Sequence, residues 1–448
     1  MTLLKKIVLL GIVGFAATFA IAKSVPYWFI PSLHADVDIR DPELIAKGEY
    51  AAIAGDCVAC HSAPGGKKFA GGLAMHTPMG TIYSTNITPD PDTGIGQYSY
   101  AEFERAVRRG VRADNTSLYP AMPSPSYQIV SDDEIQAMYA YFMSGVPAVK
   151  QQNQDSTIPW PFSLRWPLAL WQVAFAQPRE FVAPANASPE VARGAYLVEG
   201  LAHCGACHTP RGIAFQEKAL HLAGSDQFLG GAVLEGWYAK SLRGEYTGLA
   251  TWSEDELVDF LRSGRTDKTA AFGSMADVVG HSTAKMTDAD VLSIARYIKQ
   301  LPPKKGYSVE QKLVADTTTE ALLRRDYNTD GSLLYTEHCN VCHRPDGMGA
   351  PRIFPALAGN SIVFAEDPSS LIQVTLEGGY MPHTKHDVMA FAMPGFEHLQ
   401  DIEVAQLLTF IRSAWGNQAA PIAVQDVARM RDLVSNKPQH YVPGAQHE

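Results

Sequence analysis

Apolar positions along the chain fall into one plan that is used three times. Each copy opens on an amphipathic stretch running into a cysteine-containing string. PELIAKGEYAAIAGDCVACH ends at His61, PEVARGAYLVEGLAHCGACH at His208, and the shorter DGSLLYTEHCNVCH at His343. A middle stretch of helical spacing follows: YAEFERAVRRGV from Tyr100, SEDELVDFLRSGR from Ser253, PSSLIQVTLEGG from Pro368. Each copy closes on a third amphipathic stretch headed by a capping-type residue, SDDEIQAMYAYFMSGV from Ser131, TDADVLSIARYIKQL from Thr287 and QDIEVAQLLTFIRSAW from Gln400. An aromatic recurs at one place in these, as Tyr141, Tyr297 and Phe410. No segment shows convincing alternation of period two. The pattern predicts an all-α protein of three tandem small domains, over residues 36–150, 186–305 and 306–416.

The rest of the chain reads differently. In residues 1–35, Lys5 and Lys6 precede an apolar run from Ile7 to Ala22. Sixteen helical residues reach about 24 Å at ~1.5 Å each, short of a hydrocarbon core of ~30 Å. The segment is either a signal cleaved after Ala20-Ile21-Ala22 or a membrane helix completed by Tyr27, Trp28 and Phe29 as an aromatic belt. Either way the remainder is exported, on the periplasmic side of the cell inner membrane. Residues 151–185 form a tryptophan-rich linker with Trp160, Trp166 and Trp171, too short and proline-broken to span a bilayer. Residues 417–448 form a tail with Pro421, Pro438 and Pro443, expected to grip a partner.

Composition narrows the chemistry. The net charge of −10 argues against nucleic acid, which needs a basic face. Six cysteines in 448 residues do not make a disulfide scaffold. They fall in three identically spaced pairs, each followed at once by a histidine: Cys57, Cys60 and His61; Cys204, Cys207 and His208; Cys339, Cys342 and His343. This is the attachment string for c-type haem: two thiols bond to the porphyrin and the histidine ligates iron. A zinc half-site or redox dithiol would not use every cysteine three times over in this form. A proline follows each string (Pro64, Pro210, Pro345), stopping the helix and offering a place for a carbonyl that orients the histidine. The expected sixth ligands are Met122, Met275 and Met393, standing nine, twelve and seven residues before the closing stretch; Met286 and Met381 are rivals. Ligation by His and Met suits electron transfer and disfavours peroxide chemistry.

The strings YSTNITPDPDTGIG (Tyr83 to Gly96), YPAMPSP (Tyr119 to Pro125), RWPLALWQ (Arg165 to Gln172), CHTPRG (Cys207 to Gly212), FPALAGN (Phe354 to Asn360) and AMPGF (Ala392 to Phe396) carry a more specific signal. On these the chain resembles the triheme cytochrome c subunits of the membrane-bound dehydrogenases of acetic acid bacteria, over nearly its whole length. The resemblance implies three covalent haem c groups relaying electrons from a catalytic subunit, molybdopterin/iron–sulfur or quinoprotein, to membrane ubiquinone. The possible anchor departs from the quinoprotein-associated members and tilts the reading toward aldehyde rather than alcohol oxidation. The cytochrome of a flavin-dependent gluconate or sugar dehydrogenase, or a haem subunit feeding a terminal oxidase, are the alternatives. No dinucleotide loop, P-loop or spare cysteine is present, so the chain is not expected to be an enzyme by itself. Arg165, Trp166 and Trp171 are the candidates for the quinone-facing surface. Asp326, Asn328, Asp330, Gly331 and Glu337 match a calcium-loop pattern, or else form a turn capping the helix into the third string.

Overall fold

The computed structural model describes residues 5, 13, 14, 16–20, 36–310 and 314–435. The expected signal or membrane helix over 1–35 therefore lies almost wholly outside the described residues. Among the described residues no helix is long and apolar enough to cross a membrane. The chain divides into two compact units. One comprises residues 1–183, 199–206 and 211–220; the other comprises 184–198, 207–210 and 221–448.

In the first unit the opening helix is Pro42–Ala54, the middle helix Tyr100–Arg109 and the closing helix Asp132–Ala140. Their starts are written in the caps. Asp41 accepts from the Glu43 amide ahead of Pro42, Ser99 and Glu102 form a capping box, and Ser131 accepts from the Glu134 amide. Gly110, at φ 63°, ends the middle helix in the left-handed conformation. The closing helix widens into a π-type turn over Tyr141–Gly145. The linker contributes a further helix, Trp166–Phe175, with Pro167 in its first turn.

The second unit holds the plan twice. Helices Pro189–Tyr196, Glu254–Ser263 and Asp288–Lys299 are followed by Asp330–His338, Ser369–Glu377 and Asp401–Ser413. Beyond these, Val424–Ser435 is a helix whose Val427 and Met430 are buried in the core with Leu407, Ile372 and Leu376. The tail is thus, as far as Ser435, part of the packed body. Arg265, with a side chain 1% exposed, sits 3.3 Å from Asp387, which also takes Arg352 at 3.2 Å. This buried cluster ties the segment after Glu254–Ser263 to the loop between Ser369–Glu377 and Asp401–Ser413.

In all three copies the opening helix crosses the closing helix at a glycine. A Cβ at Gly48 would fall on the Ala137 carbonyl and 2.7 Å from the Tyr141 Cβ. At Gly194 it would meet the Ser293 carbonyl and, at 2.8 Å, Tyr297; at Gly331, the Gln406 carbonyl and, again at 2.8 Å, Phe410. The recurrent aromatic of the closing stretch is the residue that covers the crossing glycine.

The structure is helix-rich as expected, and among the described residues three short antiparallel hairpins are added to the helices: Ala74–Thr77 with Gly80–Tyr83, Ala232–Leu234 with Trp237–Ala239, and Gly379–Tyr380 with Ala392–Met393. Strands of two to four residues are too short to show alternation in sequence. The second hairpin turns on Glu235 and Gly236, both at positive φ, as a tight two-residue loop requires.

Candidate functional site

Each cysteine string folds as a short helical turn: Cys57–Cys60, Gly205–His208 and Asn340–His343. A spacing of three brings each pair of sulfurs to one side of a turn. None of the six cysteines is in a disulfide. Cys60 and Cys207 are exposed, Cys57, Cys204 and Cys342 half-buried, and Cys339 buried. Burial, with Asp56 adding to it, pushes the Cys57 thiol up to about 12. Burial and neighbouring Cys342 do the same at Cys339, also to about 12.

The three histidines share one tether. His61 Nδ1 lies 2.7 Å from the Thr85 carbonyl, His208 Nδ1 2.7 Å from that of Lys240, and His343 Nδ1 2.9 Å from that of Pro355. A carbonyl only accepts, so Nδ1 carries the hydrogen and donates in each case. That leaves Nε2 with its lone pair free, as a metal ligand requires. Burial lowers the pKa of all three rings, of His208 to about 4. The imidazoles are neutral at physiological pH.

The tether corrects the expectation that pointed to Pro64, Pro210 and Pro345. The accepting carbonyls lie further on, and the hairpins explain where. Thr85 stands just past Gly80–Tyr83, and Lys240 follows Trp237–Ala239 directly. In the shorter third copy a bridge between Ala350 and Phe354 brings Pro355 back.

The methionine candidates are all half-buried but sit in different local structures. Met122 lies in the turn before Ser124–Tyr127. Met275 lies in the first turn of helix Ser274–His281, against Ala271, Ala276, Val279 and Ala284. Met393 lies in the last strand, paired with Gly379. The rivals Met286 and Met381 are 2% and 4% exposed, packed into the cores.

The donor set fits c-type haem. Six unbridged thiols stand on three helical turns, each beside a neutral imidazole whose Nδ1 is engaged and whose Nε2 is not. The calcium-like string does not make a loop. Thr329 caps helix Asp330–His338 and Asp330 accepts from Gln406. Asp330 and Glu337 are then about 10 Å apart along one helix at ~1.5 Å per residue, too far to share an ion. Among the described residues no other cluster has a metal-binding grouping.

The linker candidates separate. Trp171 donates from Nε1 to the Ala214 carbonyl at 2.7 Å. Arg165 lies over the Tyr119 ring, 3.6 Å from its centroid, and Trp166 meets Phe19 edge-on at 5.8 Å. Two residues of note carry no sequence signal. His203, beside Cys204, bonds the Gly55 carbonyl at 3.1 Å, where Tyr127 also donates at 3.0 Å. Glu217 has a side chain 4% exposed, though QEKA reads as surface.

Known proteins bear on most of the chain. Residues 45–145 and 329–415 match the cytochrome c family. The gluconate 2-dehydrogenase cytochrome c subunit of Pantoea cypripedii is 50% identical over 88% of this chain and 91% of its own. The cytochrome c subunit of the quinone alcohol dehydrogenase of Gluconacetobacter polyoxogenes is 47% identical over 88% and 85%. The fructose dehydrogenase cytochrome subunit of Gluconobacter japonicus is 34% identical over 86% and 82%. With its haem-attachment strings and tethered histidines in the same chain, this protein belongs to the family of cytochrome c subunits of dehydrogenase complexes, which transfer electrons rather than carry out the substrate chemistry.

Proposed function

We propose that the chain is a triheme electron-transfer subunit of a periplasmic, membrane-bound dehydrogenase, relaying electrons from the catalytic subunit to ubiquinone. The observation that carries the count of three is the tether, built three times with different sequence: Nδ1 of His61, His208 and His343, each on a backbone carbonyl. Cys57 and Cys60, Cys204 and Cys207, and Cys339 and Cys342 would hold three haem c groups in three tandem domains. Met122, Met275 and Met393 would complete the ligand sets. Haem so bound supplies one-electron exchange. The chain's own part is to fix each imidazole in one tautomer and one orientation, to keep it neutral by burial, and to occupy the remaining position with a thioether, so that no site is left for oxygen chemistry.

The membrane side of this reading rests on the linker. Trp160, Phe162, Leu164, Leu170 and Phe175 are all exposed large apolar side chains, Trp160 by 78%. A clustered exposed apolar surface marks an interaction face, and tryptophan suits a bilayer interface. Phe19, within the N-terminal apolar run, adjoins it at Trp166. The catalytic partner oxidises an alcohol or aldehyde; the gluconate and fructose relatives favour a second reading, a sugar or sugar-acid dehydrogenase. Gentle detergent purification followed by mass spectrometry of the copurified large subunit decides between them. Pyridine haemochrome measured against polypeptide should give three covalent haems, and a lower count in mature protein overturns the triheme reading.

A further inference from the structure

The first two cysteine strings are joined to each other. His203, the residue before Cys204, has its Nε2 3.1 Å from the Gly55 carbonyl, and Gly55 stands two residues before Cys57. A carbonyl only accepts, so Nε2 carries the hydrogen and donates. Burial lowers the His203 pKa, so the ring is neutral and this is its one N–H. The same carbonyl takes a second donor, the Tyr127 hydroxyl at 3.0 Å, and the two rings meet edge-on with centroids 5.5 Å apart. Tyr127 is buried and follows Met122 by five residues, so the junction also reaches the loop of the first expected distal ligand.

The backbone is bent to make this junction. Asp56 and His203 each stand directly before the first cysteine of a string, and each has a left-handed φ, 48° and 36°. That conformation is cheap for glycine and costly for any side chain. It persists only where the surroundings over-determine it, and it clusters where geometry serves function. The third string is entered differently: His338, before Cys339, ends helix Asp330–His338 and packs its ring against Phe396 and His398. Close approach is enforced around the bond. A Cβ at Gly55 would lie 3.2 Å from the Tyr127 hydroxyl and 3.5 Å from the Leu201 carbonyl, and one at Gly200 would lie 2.7 Å from Ile129. The chain leading into the second string is therefore seated directly on Gly55, Tyr127 and Ile129 of the first copy. Packing alone would be served by an apolar side chain in a relaxed backbone. A buried ring donor on a strained backbone holds two attachment points in one register.

We propose that His203 is the positioning residue for electron exchange between the first and second haem sites, its bond to Gly55 fixing the chain at Cys57 against the chain at Cys204. The inference rests on the triheme reading above and says which residue sets the spacing of one step of that relay. The step moves one electron: one iron passes from ferrous to ferric as the other passes from ferric to ferrous, and the Nε2 hydrogen stays where it is. The chain's part is geometric. Each porphyrin is fastened to a cysteine one or two residues from the bond, so slack in the bond is slack between the two groups, and electron exchange slows steeply with separation.

The test uses the full-length holoprotein in detergent, with isotopically labelled histidine, and two variants. His203→Phe keeps a ring and deletes the donor; His203→Gln keeps an amide donor. In partly reduced protein, exchange broadening of the haem methyl resonances reports electron exchange within each pair of haems. His203→Phe should slow it for one pair by roughly tenfold, as a small misplacement of reacting groups does, and leave the other pair, the haem count and the sulfur–iron absorption unchanged. His203→Gln should recover most of the wild-type rate. In the wild type, the His203 Nε2–H resonance, identified by its loss from His203→Gln, should move in two steps during reductive titration, one with each of two haems. That measurement stands even where His203→Phe fails to mature. Wild-type exchange in a three-haem His203→Phe protein, or a His203 resonance that follows a single haem, overturns the inference and leaves the triheme reading intact. A wild-type covalent count below three overturns the triheme reading itself.

Discussion

Gly48 lies in the middle of Pro42–Ala54, where alanine is ordinarily better than glycine by about 1 kcal/mol. Gly48→Ala should nevertheless destabilise the fold. The new methyl group would fall on the Ala137 carbonyl and 2.7 Å from the Tyr141 Cβ. The obstacle is mainly helical backbone, which cannot swing aside, so the two helices must part by roughly 1 Å. A gap of that size forfeits a quarter to a half of each dispersion contact. Over roughly fifty atom pairs at ~0.15 kcal/mol each, the loss is about 3 kcal/mol. The propensity gain offsets about 1 of that, leaving a net destabilisation of about 2 kcal/mol, within the range for overpacked cores.

Gly280 supplies the control. It also lies in a helix, Ser274–His281, but a Cβ there meets only the Pro382 Cβ at an ordinary 3.9 Å. Gly280→Ala should stabilise by up to about 1 kcal/mol through propensity alone. Urea denaturation of the holoprotein, followed by far-ultraviolet circular dichroism, measures both. If Gly48→Ala matched or exceeded the wild type in stability while Gly280→Ala behaved as stated, the close-crossing argument would be wrong.

Three further outcomes follow from the geometry. Asp387→Asn should cost about 3 kcal/mol, because it leaves the buried Arg265 guanidinium without its countercharge; a loss under 1 kcal/mol in the same denaturation experiment would refute this. Met122→Leu, Met275→Leu and Met393→Leu should each remove the sulfur–iron absorption of one haem and lower its potential; that outcome at Met286→Leu or Met381→Leu instead would reassign the ligand. Glu217 keeps its proton to about pH 7 in the fold against an ordinary value of 4.5, so the folded chain binds the extra proton between those values and stability falls as pH rises through that window. The fall amounts to about 3 kcal/mol, and the difference in stability between Glu217→Gln and the wild type should grow by that amount from pH 4.5 to 7 and then level off.

The helices expected from Tyr100, Ser253 and Gln400 were legible because a cap announces each and periodicity sustains it. Ser99 with Glu102, Ser253 with Glu256 and Gln400 with Glu403 form capping boxes at the expected starts. The haem strings were legible because every chemical group involved is a side chain. The histidine tether was misplaced for the opposite reason. Its acceptors are the backbone carbonyls of Thr85, Lys240 and Pro355, and a carbonyl belongs to every residue alike. The strands of the hairpins that deliver the first two are only three or four residues long, too short to stand out as alternation. Glu217 reads as a surface charge because its burial comes from segments distant in sequence, around Ala121 and Trp171.

A chain is made, and threaded through any export channel, from its N-terminus. The first unit is not complete when residue 183 has emerged, because it includes residues 199–206 and 211–220 as well. The Gly55 carbonyl, just before the first cysteine string, waits for His203 to bond it. By the time residue 220 is out, the second string has come with it, whereas Cys339 and Cys342 follow more than a hundred residues later. The first unit therefore closes only after the second string has been made, and a chain that stops short of residue 220 leaves that unit incomplete.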